Sequence, residues 1–269
     1  NFVFRVREFE QMELEFFVEP GTDQNWHKHF VEDRFNWWQT IGLSAENIKL
    51  FEQPKDELAH YAKATTDLLY EFPHGLEELE GIANRSDFDL GSHSKNNSDL
   101  GLDATVKPNE FSTTKLQYRD QIKNKSYVPY VIEPSAGVER GVFALLCEAY
   151  TIEELADGNK RVYLNFKNDM APVKASVIPL AKNNPELIKL AKELHLDLVK
   201  SKIGPISFES TGNIGKSYRK NDEIGTPYCI TVDFDSLEKK VVTVRDRNTM
   251  KQTTVELENI KKYLIDKFL

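Results

Sequence analysis

The stretch Glu133-Pro134-Ser135-Ala136-Gly137-Val138-Glu139-Arg140, continued by Gly141 and the apolar run Val142–Cys147, is the most informative part of this chain. Two carboxylates, a hydroxyl and an arginine are compressed around what reads as a Pro/Gly turn, with an uncharged helix-like segment directly after it. Val131-Ile132 before it reads as a short buried strand, and Gly141 to Tyr150 as a helix packed on that strand. Charged groups at a strand-to-helix turn can face a ligand while the flanking elements hold them still. Taken alone, the segment also fits a solvated turn with an ordinary salt bridge.

A second charged segment lies at the start of the chain, Phe4-Arg5-Val6-Arg7-Glu8-Phe9-Glu10-Gln11-Met12-Glu13. Three more follow in order: His60-Tyr61-Ala62-Lys63-Ala64-Thr65-Thr66-Asp67, then Glu78-Leu79-Glu80-Gly81-Ile82-Ala83-Asn84-Arg85-Ser86-Asp87-Phe88-Asp89-Leu90, then Gly212-Asn213-Ile214-Gly215-Lys216-Ser217-Tyr218. Together these segments resemble the class II aminoacyl-tRNA synthetases, with motif 2 at the N-terminus and motif 3 at 133–140. Within that class the resemblance is strongest to glycyl-tRNA synthetases of the bacterial single-polypeptide type. It covers nearly the whole chain and is weakest between Ser92 and Lys125.

At 269 residues the chain is long enough for two domains or one large one with ample core. Its 40% hydrophobic and 29% charged residues are those of an ordinary soluble globular protein. No run approaches the roughly 20 apolar residues of a membrane span, so no membrane partner is expected. The start, Asn1-Phe2-Val3-Phe4-Arg5, lacks a signal peptide's order and a methionine, and reads as a cut inside a motif. Cys147 and Cys229, far apart in apolar contexts, read as reduced core thiols of a cytoplasmic protein. The net charge of −8 hides an asymmetry: residues 1–160 carry a net of −13 and residues 161–269 a net of +5. A basic C-terminal part suggests a surface that faces a polyanion.

Thr151 to Lys160 reads as a linker where the charge balance changes sign, dividing a first domain (1–150) from a second (161–269). Phe2–Phe9 and Glu13–Val18 are strand-like, and Trp26, Phe30, Trp37 and Ile41 mark one face of an amphipathic helix. Beyond the linker, strands at Val162–Phe166, Ala175–Leu180, Tyr228–Asp233 and Val241–Asp246 alternate with helices, an α/β pattern. Asn184-Pro185 is a helix start for Leu187, Leu190, Ala191, Leu194 and Leu198, and Gly204 a stop. Ser92 to Lys125, polar and aperiodic, reads as a surface insertion with some disorder. The fold class expected is therefore α/β overall: an α+β catalytic core, with helices on a mainly antiparallel sheet, followed by an α/β anticodon-binding domain.

The resemblance implies ATP-dependent attachment of glycine to tRNA(Gly) through a glycyl-adenylate, with Mg2+ as the accompanying ion and a homodimer as the working form. Arginine forks suit phosphate, and the resemblance puts Arg140 on the γ-phosphate. On a strand Arg5 and Arg7 would point the same way and line one ATP-facing surface. The family's pattern adds Phe4, Val6, Glu8, Gly137 and Glu139, and places Phe9 against the adenine ring. The alternative for that segment is a core Phe9 with the arginines paired to Glu8 and Glu10. Glu78 and Leu79 match an ATP-contacting pair, with Glu78 as the magnesium ligand. Arg7, Arg140 and Glu78 form the expected catalytic set.

Glycine offers no side chain to grip, so its ammonium and carboxylate must be recognised and larger residues excluded. The family's glycine pocket maps onto Glu13, Glu133, Ser135 and Gly137, flanked by Phe9 and supported by Arg85. His27 and His29 are two apart on an expected helix and diverge, and the cysteines lack a CxxC partner, so no structural zinc is implied. Ser210 to Ser217 ends in Gly-Lys-Ser, but Ser210 replaces the first glycine of a phosphate loop. The following Tyr218 to Pro227 reads as too charged and too soon broken for a long packed helix. The better match is an anticodon-binding signature, with Lys216, Tyr218, Arg219 and Lys220 facing tRNA and Arg245 and Arg247 as secondary contacts. The family's motif 1, the first strand of motif 2 and one further glycine-binding glutamate have no counterpart. The resemblance therefore implies about half an active site and no adenylate formation by the 269-residue polypeptide alone. The competing expectation is a non-catalytic synthetase-like nucleic-acid-binding protein.

Overall fold

The computed structural model describes residues 3–268, which fall into two compact units, Asn1–Cys147 and Glu148–Leu269. The first unit runs β1 (Gln11–Glu13), β2 (Phe16–Val18), α1 (Asp23–Ile41), β3 (Ile48–Glu52), β4 (Ala64–Phe72), β5 (Gly75–Ser86), α2 (Phe88–His93), β6 (Tyr118–Asp120), β7 (Lys125–Tyr127), β8 (Tyr130–Gly137) and α3 (Val138–Ala149). Six of these strands form one antiparallel sheet in the order β1-β8-β5-β4-β3, with β2 also paired to β8.

The segment read as a Pro/Gly turn is in fact the second half of β8, a central strand of that sheet. Proline is tolerated there for a local reason. Its backbone faces the β1–β2 side, where Leu14 N–H donates to the Pro134 carbonyl at 3.0 Å. The missing proline N–H leaves the Leu14 carbonyl without its return bond, and the edge strand is interrupted at that point into β1 and β2.

Helix α1 covers one face of the sheet. Asp23, His27, Phe30 and Trp38 are buried at helical spacing, and His27 Nε2 lies 2.9 Å from the Ile82 carbonyl. Glu80, projecting into the same core from β5, is held by Arg34 Nε at 2.7 Å and Trp38 Nε1 at 2.5 Å. The stripe thus centres on Trp38, 1% exposed, and not on Trp37. The expected strand over Phe2–Phe9 does not form. Phe2 lies outside the described residues, and Val3–Glu10 are turns and irregular chain. Beyond Gly137 the neighbouring strand becomes α3, so these residues have no strand to pair with; the last ladder contact is Val138 N–H to the Glu10 carbonyl.

Residues 92–125 are built on side-chain-to-backbone hydrogen bonds, which leave no hydrophobic period in the sequence. The Asp87 carboxylate accepts from the N–H groups of Asp103 and Ala104, and Asn97 donates to the Lys107 carbonyl. The segment closes with the β6–β7 hairpin.

In the second unit the expected linker is most of a hairpin, β9 (Tyr150–Glu154) paired with β10 (Lys160–Leu164). There follow β11 (Ala175–Pro179), α4 (Pro185–Lys200), β12 (Ile206–Phe208), α5 (Ile214–Glu223), β13 (Tyr228–Val232), α6 (Phe234–Glu238), β14 (Val241–Asp246), β15 (Gln252–Glu256) and α7 (Ile260–Phe268). The five-stranded sheet is ordered β12-β11-β13-β14-β15, parallel on its first three strands and antiparallel beyond. The Asn184 side chain caps α4 by accepting from Glu186 and Leu187 N–H, with Pro185 in the first turn. Helix α5 forms despite its charge, because Asn213 caps it and Ser217, Asn221 and Asp222 bury its inner face. Among the described residues no helix is long and apolar enough to cross a membrane.

A Cβ on Gly141 would stand 2.9 Å from Trp38 Cη2, so α3 can lie this close to α1 only with glycine there. In an exposed helix Gly→Ala is stabilising by about 1 kcal/mol. Here overpacking reverses the sign, and Gly141→Ala should cost about 1–2 kcal/mol in urea unfolding. A variant as stable as the parent, or more so, would show that the Trp38 ring yields freely.

Candidate active site

The sheet face opposite α1 carries the acidic groups. Gln11 and Glu13 of β1 pair with Gly137 and Ser135 of β8, and Glu133 lies two residues further along on the same face. Glu13 and Glu133 therefore converge. Ser135 Oγ donates to Glu13 Oε1 at 3.5 Å and accepts from Gln11 Nε2 at 2.6 Å. Glu133 Oε2 accepts from Arg85 NH1 at 2.7 Å. Partial burial, and then the Glu133 carboxylate, push the pKa of Glu15 up, as expected where acids share one face. Asp67 joins the row from β4, across Gly81. A Cβ on Gly81 would meet Asp67 Oδ1 at 3.4 Å and Glu78 Oε1 at 3.6 Å, so the strand is bare between two carboxylates. Burial holds the Asp67 carboxyl above its ordinary pKa, against a hydrogen bond from Gln53.

A cleft of about 480 Å³ adjoins this row. Arg5, Val6, Phe9, Glu78, Ser135 and Arg140 line it, together with Leu79, Gly137 and Glu139. Phe9 is 61% exposed, which excludes the reading of it as core. Phe4 has the opposite fate: only 9% exposed, it packs edge-on against Phe72 and His74, and the Arg140 guanidinium lies 4.5 Å over its ring. Arg140 also donates to the Glu78 carbonyl at 2.7 Å and stands 3.6 Å from the Glu78 carboxylate. Glu139 turns both carboxylate oxygens to the Glu10 N–H, anchoring the N-terminal segment onto α3. Without a strand there, Arg5 and Arg7 do not share a face: Arg5 reaches the cleft wall, whereas Arg7 and Glu8 are exposed outside it.

Glu78, half-exposed and beside Arg140, suits a Mg2+ ion held mostly by phosphate oxygens and water, which asks for one or two protein carboxylates. Among the described residues no group of three or more His, Cys, Asp or Glu is placed to hold a metal by itself.

In the second unit, Lys216, Arg219 and Lys220 border a surface hollow beside α5. Two further arginines expected at an RNA surface are inside the protein. Arg245 grips Asp222 through two hydrogen bonds of 2.8 and 3.0 Å, and Asp222 is also bound by Arg161 Nε at 3.0 Å. Arg247, 1% exposed, donates to the Gly225 and Phe166 carbonyls at 2.6 Å each. Tyr218 also faces inward, its hydroxyl 2.7 Å from Thr231 Oγ1 and its ring under Arg245. Burial pushes the Cys229 thiol up to about 12, consistent with an inert core cysteine.

Sequence reasoning passed over Gln11 and Asp67, although both stand inside the quoted segments. Their side chains gain meaning only from register, Gln11 from Gly137 and Ser135, Asp67 from Gly81.

Residues 174–267 match the family model described as an anticodon binding domain. An antiparallel sheet with helices against it, followed in the chain by such a domain, is the organisation of a class II aminoacyl-tRNA synthetase. The chain is 56% identical to the glycine–tRNA ligase of Thermus thermophilus over 98% of its length and 54% of the relative's. It is 51% identical to that of Deinococcus radiodurans (97% and 53%) and 47% identical to that of Ruminiclostridium cellulolyticum (100% and 54%). The chain belongs to the glycine–tRNA ligase family, and it spans about half the length of the curated relatives it matches.

Hydrogen bonds from Lys220 and Thr211 lower the Glu209 carboxyl from 4.5 to about 2. A depressed carboxylate pKa stabilises the fold above the unfolded value, and that stabilisation is lost as pH falls through the folded one. The loop before α5 should therefore loosen between about pH 4.5 and pH 2. An NMR titration of the Glu209 carboxyl should give a midpoint near 2; a midpoint near 4.5 would mean that Lys220 is free in solution.

Proposed function

We propose that this chain supplies the motif 2 to motif 3 part of a synthetase active site and its anticodon-binding domain, within a protein that attaches glycine to tRNA(Gly). The observation that carries this reading is the acidic row of Glu13, Ser135 and Glu133 beside a cleft that contains Arg140. In the reaction the carboxylate of glycine attacks the α-phosphate of ATP, a glycyl-adenylate forms, and pyrophosphate leaves. A terminal ribose hydroxyl of the tRNA then takes the glycyl group. As in other phosphoryl transfers, the protein's contribution is chiefly position and charge stabilisation.

Phe9 stacks on adenine and Arg5 and Arg140 hold phosphate oxygens, with Arg140 kept in place by Phe4 and the Glu78 carbonyl. Mg2+, when bound, neutralises phosphate charge; Glu78 is its protein ligand. The ammonium of glycine enters the acidic row, where Glu13 and Glu133 balance its charge and Ser135 accepts a hydrogen bond. Selectivity for glycine requires that the row leave no room for side chains larger than hydrogen. Lys216, Arg219 and Lys220 bind tRNA phosphates near the anticodon. The protein works in the cytoplasm and as a homodimer, by analogy with the family.

Glycine-dependent ATP–pyrophosphate exchange by the full-length protein that carries this chain is the direct test. Glu133→Ala should reduce it at least a hundred-fold, about 2.7 kcal/mol of lost transition-state stabilisation. Normal tRNA charging by that variant would refute the assignment of the site. Arg219→Ala should weaken tRNA binding several-fold, a loss that exchange measured without tRNA does not share. Equal loss of both activities would argue against separate catalytic and anticodon surfaces.

A further inference from the structure

Arg85 reaches into the acidic row, and its own surroundings are unusually complete. Its Nε and NH2 donate to Asp89 Oδ2 and Oδ1 at 2.6 and 2.8 Å, a two-pronged contact that fixes the plane of the guanidinium. Its central carbon lies 4.0 Å over the Tyr61 ring, which blocks one face of that plane. The remaining NH1 is aimed at Glu133 Oε2 at 2.7 Å. Tyr61 is itself backed by His60 and Phe88 at ring-centre distances of 5.3 and 6.3 Å. The backbone arranges this approach: Ser86, with φ +50, turns the end of β5 in the left-handed region, its N–H held by Asn84 Oδ1 at 3.1 Å. The reversal brings the first turn of α2, with Asp89, back onto the preceding Arg85.

From this geometry we infer that Asp89 and Tyr61 are positioning residues for the glycine-recognising carboxylate: they orient Arg85, and Arg85 in turn holds Glu133 at one rotamer. The inference rests on the function proposed above and deepens it. Asp89 contacts no ligand in this account. Its effect reaches glycine through two charge-assisted contacts in series. A second role follows from the charge balance. Glu13, Glu15 and Glu133 would repel one another if left alone, and the guanidinium of Arg85, which carries a permanent charge, balances them at Glu133. A positioned pocket discriminates against larger amino acids only if its carboxylates cannot swing aside, so loosening Arg85 should weaken glycine recognition before it touches ATP.

The test uses the full-length protein that carries this chain, with exchange measured against glycine and ATP separately. Asp89→Asn should raise the KM for glycine about ten-fold, about 1.4 kcal/mol, while the KM for ATP stays within about two-fold. Asp89→Glu, which keeps the carboxylate, should recover most of that loss. Tyr61→Leu, which keeps the ion pair and removes the platform, should raise the glycine KM in the same direction. Equal shifts in both KM values, a fall in kcat alone, or no shift in Asp89→Asn would overturn the inference and leave Asp89 as a structural tie between α2 and β5. Glu133→Ala run in parallel separates the two readings. If it abolishes exchange while Asp89→Asn behaves as the parent, only the positioning role falls; if it too is normal, the proposed site falls with it.

Discussion

Strand β8 is hydrogen-bonded along both edges, to β5 on one side and to β1 and β2 on the other. That double pairing fixes its register, and with it the period-two alternation of its side chains. Ile132, Pro134 and Ala136 go to the α1 side, and Glu133, Ser135 and Gly137 to the opposite face. A slip of one residue would send a carboxylate and a hydroxyl into the core and isoleucine to the cleft. The same register puts Glu13 opposite Ser135 and Gly81 opposite Ser135 on the other edge. The whole acidic row is thus a consequence of one strand being held in place.

Several of the enclosed charges in the two units are paired with an opposite charge. Glu80, buried in the core with its pKa pushed up by burial, is bound by Arg34 and Trp38. Glu133 is bound by Arg85. In the second unit Asp222 is bound by Arg161 and Arg245 together. Removing one member of such a pair leaves the other uncompensated, which costs far more than an exposed ion pair is worth. This pattern also revises the reading of the basic C-terminal part. Arg161, Arg245 and Arg247 are internal and contribute to the fold, while the outward charge at α5 comes from Lys216, Arg219 and Lys220, with Lys220 tied to Glu209.

In the second unit β11, α4, β13 and β14 were readable almost to the residue, α4 because it carries a strong apolar stripe and an Asn-Pro start, whereas the charged α5 was not. The first unit was less transparent. The strand expected over Phe2–Phe9 is absent in its described part, Val3–Phe9, because a strand needs a neighbour as well as a pattern, and none lies alongside among the described residues. The charged run at 133–137 looked like a turn because Pro and Gly usually break strands; here the break is passed to the edge partner instead. The first strand and turn of the hairpin, within the expected linker Thr151–Lys160, carry mostly polar and exposed residues, whereas the second strand was legible at Val162–Phe166.

What the sequence by itself determined is the chemistry on offer: ordered segments rich in carboxylate, arginine and small residues, which identify the family and the kinds of groups its site employs. The tertiary structure alone decided which of those groups face solvent. Phe4 and Phe9 are alike in type and close in sequence, yet one supports Arg140 from below and the other stands open to the cleft. Arg219 and Arg247 both read as RNA contacts, and only the former is exposed. The physical reason is that exposure depends on which distant segments pack against a residue, and no local pattern encodes that for a single charged or aromatic side chain.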